Sequence, residues 1–568
     1  MKKITLLAGT VFIASLINSN AQTTWSILGK QYSVDTLYHA TVGPGTTETE
    51  LRIESLDGSS KKVNNIFYTV TDLSNPNVEM RAAKAGNHMR MLETVPQIAE
   101  RMNKPGECYF AGINADFFNM SHPYNAIGMC VANGFLTNYE TDGADIDPYY
   151  IVFDENGVPT FARHIERSWA GYFQFPGGKT YAFHLNTNRN VDDLILYTPQ
   201  WQPYSDGKFG TVGYTGTNQY GVEVVIRPKD KNVLYGNRQD YVVVKDPALI
   251  GSNTMGNEKI PEDGYVLSAH GIPCEFLRSL KKGDVITSQI SFSADKKAMK
   301  AKELLGGFPR ILEEERINPT LSYPEHLAGP EPRSAVGYNA DKSKLFMLVV
   351  DGRNAGGSTG VSQQELAAIM HNIGCTDAMN FDGGGSSTMY VDGFGVKNVP
   401  SSSSLDKRPE GTPRTVVNAL FAVAVAPVDN VIASIEIRDK KVSLTAGESY
   451  TPVVYGYNQY GVMVSTDVSG YSLFAPEQIG KVSGNVLTAS DGKYSGMLTV
   501  EYQGHQYSVP VNVNGGGDFV TTGITDITTD PDTEAEYYQL NGIRTASPAP
   551  GQITVTRRGS SVTKEIVR

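Results

Sequence analysis

Residues 345–382 read LFMLVVDGRNAGGSTGVSQQELAAIMHNIGCTDAMNFD, and the pattern changes three times along them. The run 345–350 is continuously apolar and of strand length, as in a strand buried on both faces. It stops at Asp351-Gly352-Arg353. After a Gly/Asn/Ser loop, Ser362 and Glu365 have the S-x-x-E spacing of a capping box, which satisfies two backbone N–H groups and starts a helix. Leu366, Ile369, Met370 and Ile373 then recur at helical spacing, and Gly374 is placed to end the helix. A second apolar segment, 378–381, ends at Asp382. Strand, helix and strand over this length predict a βαβ unit with parallel strands and a right-handed crossover. Both aspartates then leave the carboxyl ends of their strands on one edge of the sheet, where open α/β sheets bind ligands. His371 falls off the apolar stripe and reads as a solvated helix residue.

Directly after Asp382 come Gly383, Gly384, Gly385, Ser386 and Ser387. Glycines let backbone N–H groups approach a ligand without a Cβ in the way, and turned N–H groups favour anions. The serines add hydroxyl donors. A tight turn between strands needs only Asp-Gly, so three glycines exceed what a turn requires. The loop is no P-loop, because GxxxxGK[ST] is absent, and no G-x-S-x-G elbow surrounds Ser386.

Other segments carry similar punctuation. CYFAGINADFFN (108–119) runs apolar and then presents Asn114, Asp116 and Asn119, the pattern of a strand end with an Asx turn or of a site. GPEPRSAVGYN (329–339) sets Glu331 and Arg333 just before a strand. KNVPSSSSLDKRPEGTPRTVVNALFAV (397–423) carries Asn398, Arg408 and Arg414 on a Pro/Ser/Gly loop that leads into a final strand.

The rest of the chain bounds location and architecture. Lys2 and Lys3, an apolar run 4–17 and Ser19-Asn20-Ala21 read as a secretory signal peptide over 1–21. No later stretch is long and apolar enough for a transmembrane helix, so the mature protein is expected to be exported. The formal charge of −11 argues against a nucleic-acid partner. An anionic substrate would have to be met by a local cluster of arginines. Cys108, Cys130, Cys274 and Cys375 allow three pairings, among which sequence does not choose, and buried free thiols fit equally well. With no CxxC, HxH or HExxH, zinc is not expected.

Residues 22–427 read as one large body, with a strand-rich stretch at about 165–305 as a candidate subdomain and a hairpin at Asp57-Gly58. Short alternating segments over 430–514 have the length of one small sandwich and resemble bacterial Ig-like domains. The stretch 515–568 reads as a flexible joint, a linker and a tail with strand-like pieces, similar to sorting signals of exported Gram-negative proteins. The fold class expected is α+β: a β-rich catalytic domain with a βαβ unit at the site, followed by an all-β Ig-like sandwich. The location expected is the periplasm or cell surface of a Gram-negative-type bacterium.

Asn114-Ala115-Asp116-Phe117-Phe118, Pro332 to Gly337, Asp351-Gly352-Arg353, the S-x-x-E-L-A helix, Asn380 to Met389, Asn398 and Arg408-Pro409 occur in that order. Together they resemble the phosphodiester glycosidase family, over most of residues 40–425. One departure is Ala115, where the family pattern has glycine. The resemblance implies hydrolysis between a sugar's anomeric carbon and a phosphodiester oxygen, with a carbohydrate phosphodiester as substrate and no cofactor required. Arg333, Arg353, Arg408, Arg414 and the 383–387 loop would then bind the departing phosphate. Asp382 would activate water or stabilise the oxocarbenium-like centre, with Asp351, Asp116 and Glu331 as further candidates. Asn114, Asn380 and Asn398 would orient the sugar or the carboxylates. Two other readings use the same residues. The aspartates and asparagines could hold Ca²⁺ or Mg²⁺ in a metal-dependent phosphodiesterase, or the cleft could bind surface glycans without turnover.

Overall fold

The computed structural model describes residues 23–58, 61–121, 124–138, 148–163, 170–230, 238–290, 301–321, 329–402 and 407–516, and strands between 536 and 566. The expected signal peptide and most of the linker lie outside the described residues. No described helix is long and apolar enough to cross a membrane. The fold is β-rich, and its contacts divide the chain into two units. One comprises 1–438 with 453–469, and the other 439–452 with 470–568.

The stretch 344–382 folds into a nine-stranded sheet. Its order is Thr24–Ile27, Lys30–Gly43, Thr46–Ser55, Val63–Asp72, Lys344–Val350, Arg333–Tyr338, Asp377–Asn380, Arg310–Glu313 and Arg316–Ile317. The hairpin expected at Asp57-Gly58 joins Thr46–Ser55 to Val63–Asp72. Lys344–Val350 is buried on both faces from Leu345 onward. Leu345, Met347 and Val349 enter one core, and Phe346, Leu348 and Val350 enter another, as the period-two geometry of a strand requires. Helix Gln363–Asn372 starts at the Ser362/Glu365 capping box, with both reciprocal bonds made. It packs Leu366, Ile369 and Met370 onto the second of those cores.

The strands that end at Asp351 and Asp382 are parallel to each other, as expected, with one strand between them. Arg333–Tyr338 runs between them, antiparallel to both, with Ala335 opposite Leu348 on one side and Asn380 on the other. The short turn 339–343 makes Arg333–Tyr338 and Lys344–Val350 a hairpin, so that pairing closes locally, and the helical crossover only has to return in the same direction. Both aspartates still leave the same edge.

A five-stranded antiparallel sheet lies across the first core, in the order Gly395–Val396, Met389–Val391, Glu107–Asn114, Asn418–Val425 and Val78–Lys84. The two sheets share Phe67, Val336, Met347, Met379 and Phe381 with Met80, Phe110, Ile113, Met389 and Leu420. Burying one such side chain is worth about 1.5–3 kcal/mol, so this core fixes one sheet on the other. Helix Val95–Met102 covers the outer face with Val95, Ile98 and Ala99.

Seven strands between Gly171 and Ile290 close into a barrel. The ring closes where Arg238–Val243 pairs with both Val285–Ile290 and Gly221–Pro228. Phe173, Phe183, Leu196, Val224, Tyr241 and Leu267 fill it. In the second unit, Val442–Leu444, His505–Val513, Tyr494–Tyr502 and Ser472–Phe474 form a four-stranded sheet. Four strands between Glu536 and Ile566 form another. Cys108, Cys130, Cys274 and Cys375 are all free thiols, the last three buried.

Candidate active site

Glu107–Asn114 and Asp377–Asn380 deliver their ends to one place, although they belong to different sheets. Asn114 is fully buried there. Its Nδ2 donates to the Asp382 carbonyl at 2.6 Å. Its Oδ1 accepts from Ser334 Oγ at 2.8 Å and from the Thr388 amide at 3.2 Å. The Asp382 amide donates to the Ala115 carbonyl at 2.8 Å. One asparagine therefore ties the 382–388 loop to both sheets and holds the Asp382 backbone between them.

Asp382 is partly exposed. Its carboxylate accepts from the Ser386 hydroxyl and the Gly383 amide, and burial pushes it up to about 6 against those bonds and the Arg414 and Arg353 charges, which pull it down. Ser386 Oγ also accepts from Arg414 Nη1 at 3.2 Å. The other two aspartates sit differently. Asp351 is 1% exposed, with Oδ1 accepting from Asn398 Nδ2 at 3.0 Å and both oxygens from the Val399 amide at 3.1 Å. Burial raises it to about 7. Asn398 also receives the Met389 amide at 2.8 Å and donates to the Ser387 carbonyl at 3.1 Å, so Asp351 anchors the far end of the same loop. Asp116 is 2% exposed. Its Oδ2 accepts from Asn418 Nδ2 at 2.5 Å, and burial raises it to about 7, with the Asp382 charge adding to the rise. Its Oδ1 packs over the α-carbons of Gly128 and Gly306, where an added Cβ would stand 2.8 and 2.4 Å away.

The glycines have a use that composition does not show. The Gly384, Ser386 and Ser387 amides donate to Pro332, Gly383 and Gly384 carbonyls, and the Gly383 amide serves Asp382 itself. Those amides are committed within the protein. What the missing side chains admit is arginine. A Cβ on Gly385 would lie 2.4 Å from Arg414 Nη2 and 2.9 Å from Arg408 Nη2, and one on Gly384 would lie 3.0 Å from Arg353 Nη2. Three guanidiniums thus converge on one bend, beside Asp382. Arg353, itself in the left-handed region at φ 58°, is steadied by Glu331 Oε2 at 2.6 Å. Arg408 Nη2 donates to the Gly385 and Ser401 carbonyls at 3.0 and 3.2 Å.

Arg333 is 4% exposed, and its Nε and Nη2 donate to the Val361 and Gly329 carbonyls at 3.1 and 2.6 Å. It supports the loops behind the site and adds charge to it. Asn380 is buried, with Nδ2 on the Phe308 carbonyl at 2.7 Å. Its Oδ1 and Ser387 Oγ are buried without a hydrogen-bond partner. Two residues escaped the sequence reading. Asn418 opens the Asn418–Val425 strand and carries Asp116. Lys84 closes Val78–Lys84, is 2% exposed and donates to the Val417 carbonyl at 2.9 Å. Burial lowers Lys84 to about 8, and the nearby Asp116 charge opposes the fall. A polar residue at a strand end is ordinary in sequence, so neither gave a signal. Among the described residues, no three His, Cys, Asp or Glu side chains come together to share a metal ion.

A region of the chain aligns with the SPbeta prophage-derived uncharacterized protein YomE of Bacillus subtilis (strain 168), 33% identical over 89 residues. That is 16% of this chain and 12% of the relative's length. A hypothetical protein from Synechocystis superposes with a TM-score of 0.44 at 18% identity, covering 67% of this chain and 62% of its own. The catalytic domain of zebrafish N-acetylglucosamine-1-phosphodiester alpha-N-acetylglucosaminidase, auto-inhibited by its pro-peptide, gives a TM-score of 0.32 at 13% identity, covering 69% of this chain and 87% of its own. Residues 239–423, which hold Asp351, Asp382 and all four arginines of the site, match the phosphodiester glycosidase family model, the family that the motifs of this part of the chain resemble.

Proposed function

We propose that the protein is an exported glycoside hydrolase that cleaves a sugar-1-phosphodiester at the anomeric C–O bond. The observation that carries this reading is the partly exposed Asp382 beside three guanidiniums seated on a glycine bend. Cleavage gives the anomeric carbon the hydroxyl of water and releases the phosphate as a phosphomonoester, which gains negative charge as the bond breaks. Arg353, Arg408 and Arg414 meet that developing charge, and one well-placed donor of this kind is worth ~10²–10³ in rate. The good leaving group needs little help from a general acid. The ionised Asp382 acts on water or on the oxocarbenium-like centre. Asp351 and Asp116, fully buried and held by Asn398 and Asn418, position the loops rather than touch substrate. The stretch 430–514 we read as an Ig-like module that carries no chemistry.

The test is turnover of a panel of sugar-1-phosphodiesters in ¹⁸O-water, with Asp382→Asn alongside. The expected result is label on the anomeric hydroxyl of the released sugar, lost in the variant. Label on phosphate, with activity lost to a chelator, would move the protein to the metal-dependent phosphodiesterases. Glycan binding with no turnover on any member would make the cleft a binding device.

A further inference from the structure

His88, Arg90 and Met91 follow Lys84 in the chain and, together with Tyr124, line a cavity away from the residues of the Asp382 site. It has a volume of about 370 Å³ and is walled by His88, Arg90, Met91, Tyr124, Gln202 and Phe209, within the size range of small-molecule sites. Gln202 and Phe209 come from the loop that follows barrel strand Leu194–Tyr197. The barrel, which supplies nothing to the Asp382 centre, therefore contributes one wall here.

Arg90 is the unusual residue. Its Nη1 donates to the Gln202 carbonyl at 2.7 Å, and its guanidinium stacks over Trp201 and Tyr204 at 5.0 and 5.5 Å from the ring centroids. No carboxylate lies within ion-pair distance of it among the described residues, and its Nε is buried without a hydrogen-bond partner. Beside it, His88 Nδ1 is likewise buried and unpartnered. Arg90 is only half-buried, yet desolvating its guanidinium with neither counter-ion nor full hydrogen bonding still carries a cost, which the two rings offset in part. That cost is offset when a ligand brings the anion, which a guanidinium holds through paired donors. None of the residues walling the cavity is Asp or Glu. Phe209 and Tyr124 add the flat apolar surfaces on which a pyranose ring can lie.

We propose that this cavity is a binding site for an anionic sugar unit, a pyranose bearing a phosphate or a carboxylate. On the glycosidase reading above, the substrate is then a charged glycan rather than a simple alkyl phosphodiester. Arg90 takes the anion, and Phe209 and Tyr124 take the ring.

The test uses the full chain and measures binding calorimetrically at pH 7 with three probes: a hexose 6-phosphate, glucuronate and a methyl hexoside. At least one anionic probe is expected to bind tenfold or more tightly than the neutral one. Arg90→Ala and Phe209→Ala should each weaken one binding event at least tenfold, while Arg408→Ala leaves that event in place and removes only a second event that belongs to the Asp382 site. Phe209 is 38% exposed, so its variant keeps the fold. Preference for phosphate or for carboxylate identifies which acidic sugar is meant. Equal binding of charged and neutral probes, no binding of any, or loss in Arg408→Ala but not in Arg90→Ala would overturn the proposal. Binding with the expected dependences supports the site even if no phosphodiester is turned over, so the two readings fail separately.

Discussion

Replacing Gly385 by alanine tests what the glycine bend is for. The new methyl carbon would stand 2.4 Å from Arg414 Nη2 and 2.9 Å from Arg408 Nη2, where ordinary contact begins at 3.4 Å. Arg414 must therefore retreat by about 1 Å, and Arg408 by roughly half that. Misplacement on this scale costs on the order of 10²-fold in rate. Gly385 has no left-handed backbone to strain, and the displaced atoms are ends of flexible side chains, so the change should cost under about 1 kcal/mol of stability. The expected outcome is a loss of about 10²-fold in kcat/KM on a sugar-1-phosphodiester, with Tm shifted by only a few degrees. Gly411→Ala is the control. It lies between Arg408 and Arg414 in sequence, at φ +82° with nothing within 4 Å of the added carbon, so it carries backbone strain without touching a guanidinium. If Gly385→Ala retained more than a third of the activity, or if both variants lost it equally, the claim that glycine is there to admit arginine would fail.

Other outcomes follow from the same geometry. The rate should rise with pH through an ascending limb near 6, the value to which burial brings Asp382, and Asp382→Asn should abolish that limb with a loss of ~10²–10⁴. A rate falling across pH 5–7 would assign the residue as an acid instead. Asp351 is raised from 3.8 to about 7. The native state thus keeps a proton that the unfolded chain has released, and stability from this group falls as pH rises from about 4 to 7, by up to about 4 kcal/mol. Asp351→Asn should flatten urea unfolding measured at pH 4.5 and 7.5, and an unchanged difference would contradict the assignment. Asn114→Ala leaves the Asp382 carbonyl and the Thr388 amide without their partner and should cost about 2–4 kcal/mol in the same assay. A cost below 1 kcal/mol would mean that other groups hold the loop.

The parts of this site legible in the sequence are those with a local cause. An unbroken apolar run, a capping box and helical spacing are short-range patterns, and all three stand in Lys344–Val350 and Gln363–Asn372. The strand between the two aspartate-bearing strands was not legible. Its place depends on Ala335 meeting both Leu348 and Asn380, and no local pattern encodes a neighbour on the far side. The glycine loop was legible as special but not for its reason. Composition shows that space is vacated, while the occupant, Arg408 or Arg414, arrives from a separate stretch of chain. Barrel closure is illegible on the same ground, because it rests on one strand pairing on both sides.

Charge explains why an acidic protein carries this cluster. Arg353, Arg408 and Arg414 surround the bend, and Arg333 lies behind them close enough to feel Glu331 and Arg353. The carboxylates facing them are Asp382 and Glu331, the latter paired with Arg353, while Asp351 and Asp116 are buried and raised to about 7. A bound phosphodiester brings one negative charge, and on the proposed reaction the departing phosphomonoester brings close to two. Guanidiniums in excess at the bend favour the more highly charged leaving group over the substrate, which is the condition for accelerating the bond-breaking step rather than merely tightening binding. Arg408→Ala should accordingly lower kcat more than it raises KM. Equal binding of the phosphodiester and the product phosphomonoester by the wild-type protein would refute the match.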